Sequence, residues 1–453
     1  MADTKRSSFS GKIGFILAAA GSAVGLGNIW RFPYLAAKYG GGMFLLTYIV
    51  LAVTFGFALM VAEIAIGRKT GLSAIGAYKK LDRRFGFIGV IASAVPAIIL
   101  PYYSVIGGWV MKYLVGFTLG QSGTMAADGF FDSYIANPVE TPMWFFGFIG
   151  ITALIVLLGV EKGVEKVSKI MMPILVALTL FIAVYVICTM GGAVDGVIYY
   201  LKPDFSKFSL MTVVAAMGQL FYSMSLAMGI MITYGSYMKK DINIERSVHQ
   251  IEVFDTGVAF LAGLMIIPSV FSFSGGDESA LGQGPGLMFE TLPKVFDTMP
   301  MGNLVGTAFF LMVLFAALTS SISLMETVVS IVCDKFKLGR KMSCLAVFIL
   351  SAALGLPSCF GYGIWSGVEI LGMKILDFFD FASNSIVMPL VALLSCVFIG
   401  FFLKPKTVID ELEMSGPFRA KKLFSVVIRF IAPVCLLLIL ISSLLSAFNV
   451  ISI

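Results

Sequence analysis

Eleven stretches of this 453-residue chain, each at least 18 residues long, contain no Asp, Glu, Lys or Arg: 13–30, 43–62, 85–111, 143–160, 170–194, 208–238, 256–276, 301–325, 342–368, 381–403 and 430–453. A bilayer core about 30 Å thick is crossed by roughly 20 apolar residues in a helix, and an open segment satisfies its own amides and carbonyls in lipid only as a helix. The expected fold class is therefore an all-α integral membrane protein with eleven transmembrane helices. Composition agrees, at 58% hydrophobic and 13% charged residues, where soluble proteins carry about 25% charged. A single His and no nucleophile motif leave little for an enzyme to use. The net charge of +6 is not gathered into a basic tail, so no nucleic-acid partner is expected. Six Cys, at 188, 333, 344, 359, 396 and 435, stand singly in apolar surroundings and show neither zinc spacing nor a disulfide framework. The polar N-terminus, MADTKRSSFSGK, does not read as a removable signal peptide.

Positive charge orients the spans. With the N-terminus inside, the inner loops hold 25 of the 32 Lys and Arg residues, and an odd span count puts the C-terminus outside. The outer loops at about 117–142 and 277–300 are long and polar, and are expected to fold over the mouth. The chain reads as one transmembrane domain over 1–453, in a cytoplasmic membrane.

Two spans are built to break. Segment 1, GFILAAAGSAVGLGNIWRFPY, places Gly21, Gly25, Gly27, Asn28, Arg31 and Pro33 at membrane depth. Interrupted backbone there is tolerated only where it lines a cavity or is buried in protein. For Gly21 and Gly25 alone, close helix packing is the better reading; Asn28 and Arg31 reverse it. Segment 6, MGQLFYSMSLAMGIMITYGSY, repeats the theme with Gln219, Ser223, Ser225 and Gly229. It follows five spans later, and five is odd, so a second five-helix unit would be inverted: repeat one over about 12–195, repeat two over about 208–403, and an additional helix at about 424–450. That pattern belongs to secondary transporters with a midplane site. In segment 8, Thr319, Ser320, Ser321 and Ser323 lie within five residues. Isolated hydroxyls bond their own i−4 carbonyl, but four together with carbonyls freed from segment 1 would make an oxygen cage for a monovalent cation. Intramembrane Glu63, Asp255, Glu326, Glu369, Asp377 and Asp380 are functional by default, with satisfied structural pairs as the alternative.

These segments resemble the neurotransmitter:sodium symporters, and among them the bacterial LeuT-like transporters of hydrophobic amino acids. The resemblance rests on AAAGSAVGLGNIWRFPYLAAKYGGGMF at 18–44, GQLFYSMSL at 218–226 and FAALTSSIS at 315–323. It implies the LeuT fold with its 5+5 inverted repeat, and sodium-driven uptake by rocking helices 1, 2, 6 and 7 against the rest. Carried over by position, it implies two Na+ sites. The first takes the Ala23 carbonyl, Asn28, Ser223, Asp255 and the substrate carboxylate. The second takes carbonyls of Gly21, Val24 and Ala316 with the hydroxyls of Thr319 and Ser320. The implied substrate pocket comprises Ser22, Ala23, Gly25, Leu26, Gly27, Ile99, Tyr103, Tyr222, Ser223, Ser225, Met228, Ser320, Ser323 and Leu324. An outer gate pairs Arg31 with Asp380, assisted by Gln219; an inner gate pairs Arg6 with Asp334. Gly163 and Pro173 match the family's helix-5 unwinding motif, with a static kink as the alternative.

Departures have consequences. Phe9 replaces the usual inner Trp, and eleven spans replace the common twelve. Asp255 stands where the family often has Asn, so a chloride requirement is not expected. A monomer or weak dimer is implied, of bacterial origin, with the bilayer and an amino acid as partners. The rival readings are a receptor or channel of the same fold without coupled transport, or a symporter for another small amine or amino-acid class. Gly25 occupies the position at which monoamine-carrying members have an Asp, which favours a substrate with a carboxylate. Met228 occupies a pocket position held by Phe in leucine-preferring members, and its flexible thioether favours side chains from aliphatic to aromatic.

Overall fold

A computed structural model describes residues 7–276 and 285–447, and the regular structure among them is helical. Among the described residues nine helices are long and apolar enough to cross a bilayer. In chain order with the shorter elements of the broken segments, the helices are α1 Lys12–Ala23, α2 Gly27–Lys38, α3 Gly42–Thr70, α4 Arg83–Thr118, α5 Glu140–Leu157, α6 Val160–Thr189, α7 Leu210–Ser223, α8 Ile230–Ser236, α9 Ile244–Phe273, α10 Gly302–Phe336, α11 Arg340–Phe360, α12 Ile375–Leu403 and α13 Lys421–Leu445. The expected segments 1 and 6 are the ones that come apart. Helices α1 and α2 make one bent pair at 57°, and α7, too short to span, is followed by α8 after a non-helical stretch. The last span begins at Lys421, ahead of the expected position, and its expected end lies outside the described residues.

Packing places both breaks at the centre. Helix α1 lies against α6, α9 and α10, while α3 flanks α7 and α8. Contact between α3 and α8 depends on small residues. A Cβ on Gly67 would stand 1.9 Å from the Ile232 carbonyl oxygen, and one on Gly235 would stand 2.3 Å from that of Ile64. Without side chains between them the two backbones approach as small-residue membrane pairs do. Facing outward are Leu154, Ile349, Phe401 and Phe430, each more than half exposed. An apolar exterior of this kind is stable against lipid and costly against water.

The loops at about 117–142 and 277–300, expected to lie outside, pack against each other. Helices Ser122–Met125 and Phe130–Ile135 occupy the first, and Leu287–Thr298 is helical in the second. Phe131 stacks on Phe289 with ring centroids 5.1 Å apart, and the Tyr113 hydroxyl donates to the Phe289 carbonyl at 2.7 Å. Residues 277–284 of that loop lie outside the described residues.

On the N-terminal face a buried ion pair ties α3 to the helix Pro405–Glu413. Arg68 Nε donates to Glu411 Oε1 at 2.9 Å with both side chains almost fully buried, and Arg68 Nη1 donates to the Ile242 carbonyl at 2.7 Å. Removing Glu411 would leave the buried Arg68 guanidinium without its carboxylate, so Glu411→Ala is expected to destabilise the fold by about 3 kcal/mol. Equilibrium unfolding in mixed micelles reads this directly. A loss under about 0.5 kcal/mol, the level of a surface pair, would show that the pair is not needed.

Candidate substrate and cation site

Helix α1 stops because Val24 turns extended, with φ −72° and ψ 103°. Its N–H still closes on the Ala20 carbonyl at 2.7 Å, and the chain resumes at Gly27 in a wide π-helical turn, Gly27–Arg31. The α7–α8 break uses left-handed backbone instead, with φ of 53° at Ser225, 60° at Ala227 and 70° at Gly229. Two of these are not glycine, a strain of order 1–3 kcal/mol each that the surroundings must hold. Glu63 on α3 accepts the Ala227 N–H at 2.7 Å. The Ser225 hydroxyl donates to the Ser22 carbonyl at 2.9 Å and lies 3.0 Å from the Ser22 hydroxyl, so the two breaks are bonded to each other.

Between them lies a small cavity of ≈ 30 Å³, room for one or two waters with the walls as they stand. Ser22, Ala23, Gly25, Leu26, Gly27, Ile99, Tyr103, Tyr222, Ser223, Ser225, Met228, Ser320 and Leu324 line it, together with Asn28 and Ile230. Ser323 does not. Its hydroxyl donates to the Thr319 carbonyl at 2.9 Å and accepts from Tyr234 at 2.7 Å, so it faces α8 behind the wall. Ile230 was not anticipated, being one apolar residue among many. Gly25 is there for space: a Cβ would come within 2.9 Å of Ser320 Oγ and 3.3 Å of Tyr103 Oη.

Two oxygen clusters flank the cavity. In the first, Asp255 is fully buried, and among the described residues no cationic side chain forms an ion pair with it. It accepts from Asn28 Nδ2 at 2.7 Å, from Ser223 Oγ at 2.6 Å and from the Tyr48 hydroxyl at 2.9 Å. Tyr48 escaped the sequence reading, since an aromatic in an apolar span carries no signal of its own. A carboxylate this deep stays ionised only with a positive partner, and oxygen-only surroundings fit a hard cation. The second cluster lies where α1 meets α10. Ser320 Oγ is 3.4 Å from the Gly21 carbonyl oxygen, 3.2 Å from that of Ser22 and 3.3 Å from that of Val24. Thr319 Oγ1 lies 2.9 Å from the Phe315 carbonyl oxygen and 3.1 Å from that of Ala316. Asn28, Ser223 and Asp255 thus lie together in the first cluster, and Gly21, Val24, Ala316, Thr319 and Ser320 in the second.

The gate residues are placed differently. Arg31 and Asp380 line one ≈ 330 Å³ cavity on the face opposite the N-terminus but form no ion pair. Asp380 accepts instead from Tyr102 Oη at 3.1 Å and Asn384 Nδ2 at 2.7 Å, while Arg31 lies over the ring of Tyr222, which borders both cavities. Gln219 donates to the Gly27 carbonyl at 3.0 Å rather than to either gate residue. On the N-terminal face Arg6 lies outside the described residues, and Asp334 accepts from the Ser73 N–H and hydroxyl at 2.9 and 2.6 Å. Phe9 is fully buried and packs edge-on against Phe15, Tyr234 and Tyr237. Gly163 sits in a π-helical turn, Val160–Glu165, and Pro173 lies inside a continuous helix, Lys166–Thr189, so the motif is helical here. Of the other carboxylates expected within the membrane, Glu326 is buried and paired with Arg340, whereas Glu369 lies in an exposed non-helical stretch between α11 and α12, paired there with Lys374. Both are satisfied structural pairs.

The family described as the sodium:neurotransmitter symporter family matches residues 6–122 and 135–451. An uncharacterized sodium-dependent transporter of Bacillus subtilis, YhdH, is 37% identical over 450 residues, covering 97% of this chain and 98% of its own. The sodium- and chloride-dependent glycine transporter 1 of Xenopus laevis is 26% identical, covering 96% of this chain and 78% of its own. The crystal structure of MhsT in complex with L-phenylalanine superposes with a TM-score of 0.88 at 36% identity, over 97% of this chain and all of that one. The protein is thus a multi-pass membrane transporter rather than an enzyme, with a LeuT-like fold, and the chain belongs to the sodium:neurotransmitter symporter family.

Proposed function

We propose that the protein takes up hydrophobic L-amino acids, from aliphatic to aromatic, with two sodium ions and no chloride. The observation that carries this reading is the buried Asp255, without a cationic side chain to pair with, beside a cavity walled by the freed backbone of both broken helices. One sodium is held by Asp255, Asn28, Ser223 and the Ala23 carbonyl, with Tyr48 orienting the carboxylate. Since Asp255 supplies fixed negative charge, chloride is not needed. The other sodium is held where α1 meets α10, by Thr319, Ser320 and the carbonyls of Gly21, Val24 and Ala316. The substrate carboxylate sits by Gly25 toward the first sodium, and its side chain extends toward Ile99, Met228, Ile230 and Leu324.

Eleven spans complete the fold when each broken pair counts as one, arranged as repeats over about 12–195 and 208–403 in a bacterial cytoplasmic membrane. The N-terminal face is cytoplasmic. Arg31 and Asp380 close over the loaded site from outside, and unwinding between Gly163 and Pro173 admits water to the second sodium from inside. One chain holds the whole site, so a monomer suffices.

Uptake of labelled leucine into proteoliposomes tests this reading: accumulation above equilibrium under an inward sodium gradient is expected, and uptake unchanged in sodium-free buffer would sink it. Leucine, phenylalanine and tryptophan are expected to compete for that uptake. Met228→Phe should fill the space an indole needs and lower the preference for tryptophan over leucine about tenfold. Selectivity of the wild type for glycine or alanine, with tryptophan unable to compete, would overturn the pocket assignment. Asn28→Ala should weaken sodium and substrate binding together, whereas Thr319→Ala should raise the sodium requirement while largely sparing substrate affinity at saturating sodium. Identical profiles for the two variants would mean that there are not two distinct sites.

A further inference from the structure

A second cavity opens on the N-terminal face, away from the substrate pocket. It is a cleft of ≈ 440 Å³, formed where the residues ahead of α1, the α8–α9 turn and the α12–α13 connection meet. Lys12, Lys239 and Arg246 line it, and Asp241 is the carboxylate in its wall. Several other cations of this face sit on carboxylates, Arg68 and Lys240 on Glu411 at 2.9 and 2.8 Å, Lys169 on Glu165 at 2.6 Å and Lys421 on Glu413 at 2.5 Å, while Lys80 donates to the Thr70 carbonyl at 2.9 Å. Among the described residues none of the three cleft cations forms an ion pair, and Lys239 spends one donor on the Ser10 carbonyl at 2.8 Å. Three cations around one cleft repel each other, and an anion seated between them relieves that repulsion and gains charge-assisted hydrogen bonds.

The surroundings indicate which anion. On α9, two turns beyond Arg246 and on the same face, Val253 is 72% exposed, so this rim of the cleft adjoins the outward apolar surface. The cleft is also far roomier than one free oxyanion requires. We propose that it binds a phosphate group through Lys12, Lys239 and Arg246, supplied by the headgroup of an anionic phospholipid. Basic pockets beside membrane helices recognise headgroups in this way. Such an occupant has a conformational consequence. Phe9 N–H bonds the Tyr237 carbonyl at 3.2 Å and Ser10 N–H bonds Glu165 at 2.8 Å, so the segment ahead of α1 already closes this face. A phosphate bridging Lys12 to Arg246 adds to that closure.

The test is the melting temperature of the full-length protein in micelles, followed by intrinsic fluorescence, in three arms: phosphatidylglycerol, phosphatidylcholine, and inorganic phosphate at matched ionic strength. Phosphatidylglycerol is expected to raise the wild-type Tm by about 3 °C over phosphatidylcholine. Lys12→Gln/Arg246→Gln should lose at least half of that increment, and a restored increment in Lys12→Arg/Arg246→Lys would assign it to charge. A variant-sensitive rise with inorganic phosphate would keep the cleft and make free phosphate its source. No rise in either arm, or a rise of equal size in the variant, overturns the proposal. The single variant Arg246→Gln, run alongside, keeps the comparison should the double variant fail to fold. A sodium-dependent rise in Tm retained by the variants separates this result from any failure of the transport reading.

Discussion

A helix that stops inside a membrane leaves its last carbonyls and next amides with nothing to bond in lipid, and the centre of this protein holds two such stops. Much of the interior follows from that constraint. Around the first break, Asn28 Oδ1 takes the Gly25 N–H at 3.1 Å and the Tyr103 hydroxyl takes that of Leu26 at 3.4 Å, while Ser320 sits among the carbonyls of Gly21, Ser22 and Val24. Around the second, Glu63 reaches from α3 to Ala227 and Ser225 returns to Ser22. Helices α3, α4, α9 and α10 are therefore not interchangeable apolar rods. Each places polar atoms at the depth where the broken backbone needs them.

Satisfying the breaks concentrates oxygen, and concentrated oxygen is what a desolvated sodium ion requires. The same carbonyls and hydroxyls that complete the backbone's hydrogen bonding wall the cavity, so in the proposed cycle substrate, ions and broken helices share one set of atoms. Rearranging one changes the field at the others, which is the physical basis for coupling in the proposed cycle. Asp255 sharpens this dependence: a buried carboxylate bonded to Asn28, Ser223 and Tyr48 has a differential preference for a cation that a neutral residue lacks. The unpaired Arg31 and Asp380, facing one cavity above Tyr222, leave the two charges free to approach when the site fills.

The apolar runs and the two breaks were legible because they are local. Lipid demands length and apolarity, and Gly, Asn and Pro in one turn contradict a continuous helix wherever the chain goes. Most of the cavity wall followed from resemblance at three short segments. What stayed hidden depends on rotamers and distant partners. Ser323 lies one turn from Thr319 and looked equivalent, yet Tyr234 claims its hydroxyl. Tyr48 acts through Ser223 and Asp255, both distant in sequence, and Ile230 joins the wall because left-handed backbone at Gly229 redirects the chain. The number of apolar runs likewise could not show that Glu326 and Glu369 would find Arg340 and Lys374.

Equilibrium binding of labelled L-phenylalanine to the purified protein, with sodium replaced stepwise by choline at constant ionic strength, tests the central claim that ions and substrate share one structure. The logarithm of the apparent affinity should rise with the logarithm of sodium concentration with a slope approaching about two at low sodium, one for each linked ion. An affinity indifferent to sodium would contradict the account, because the substrate would then be held without the cations that the oxygen clusters are built to take.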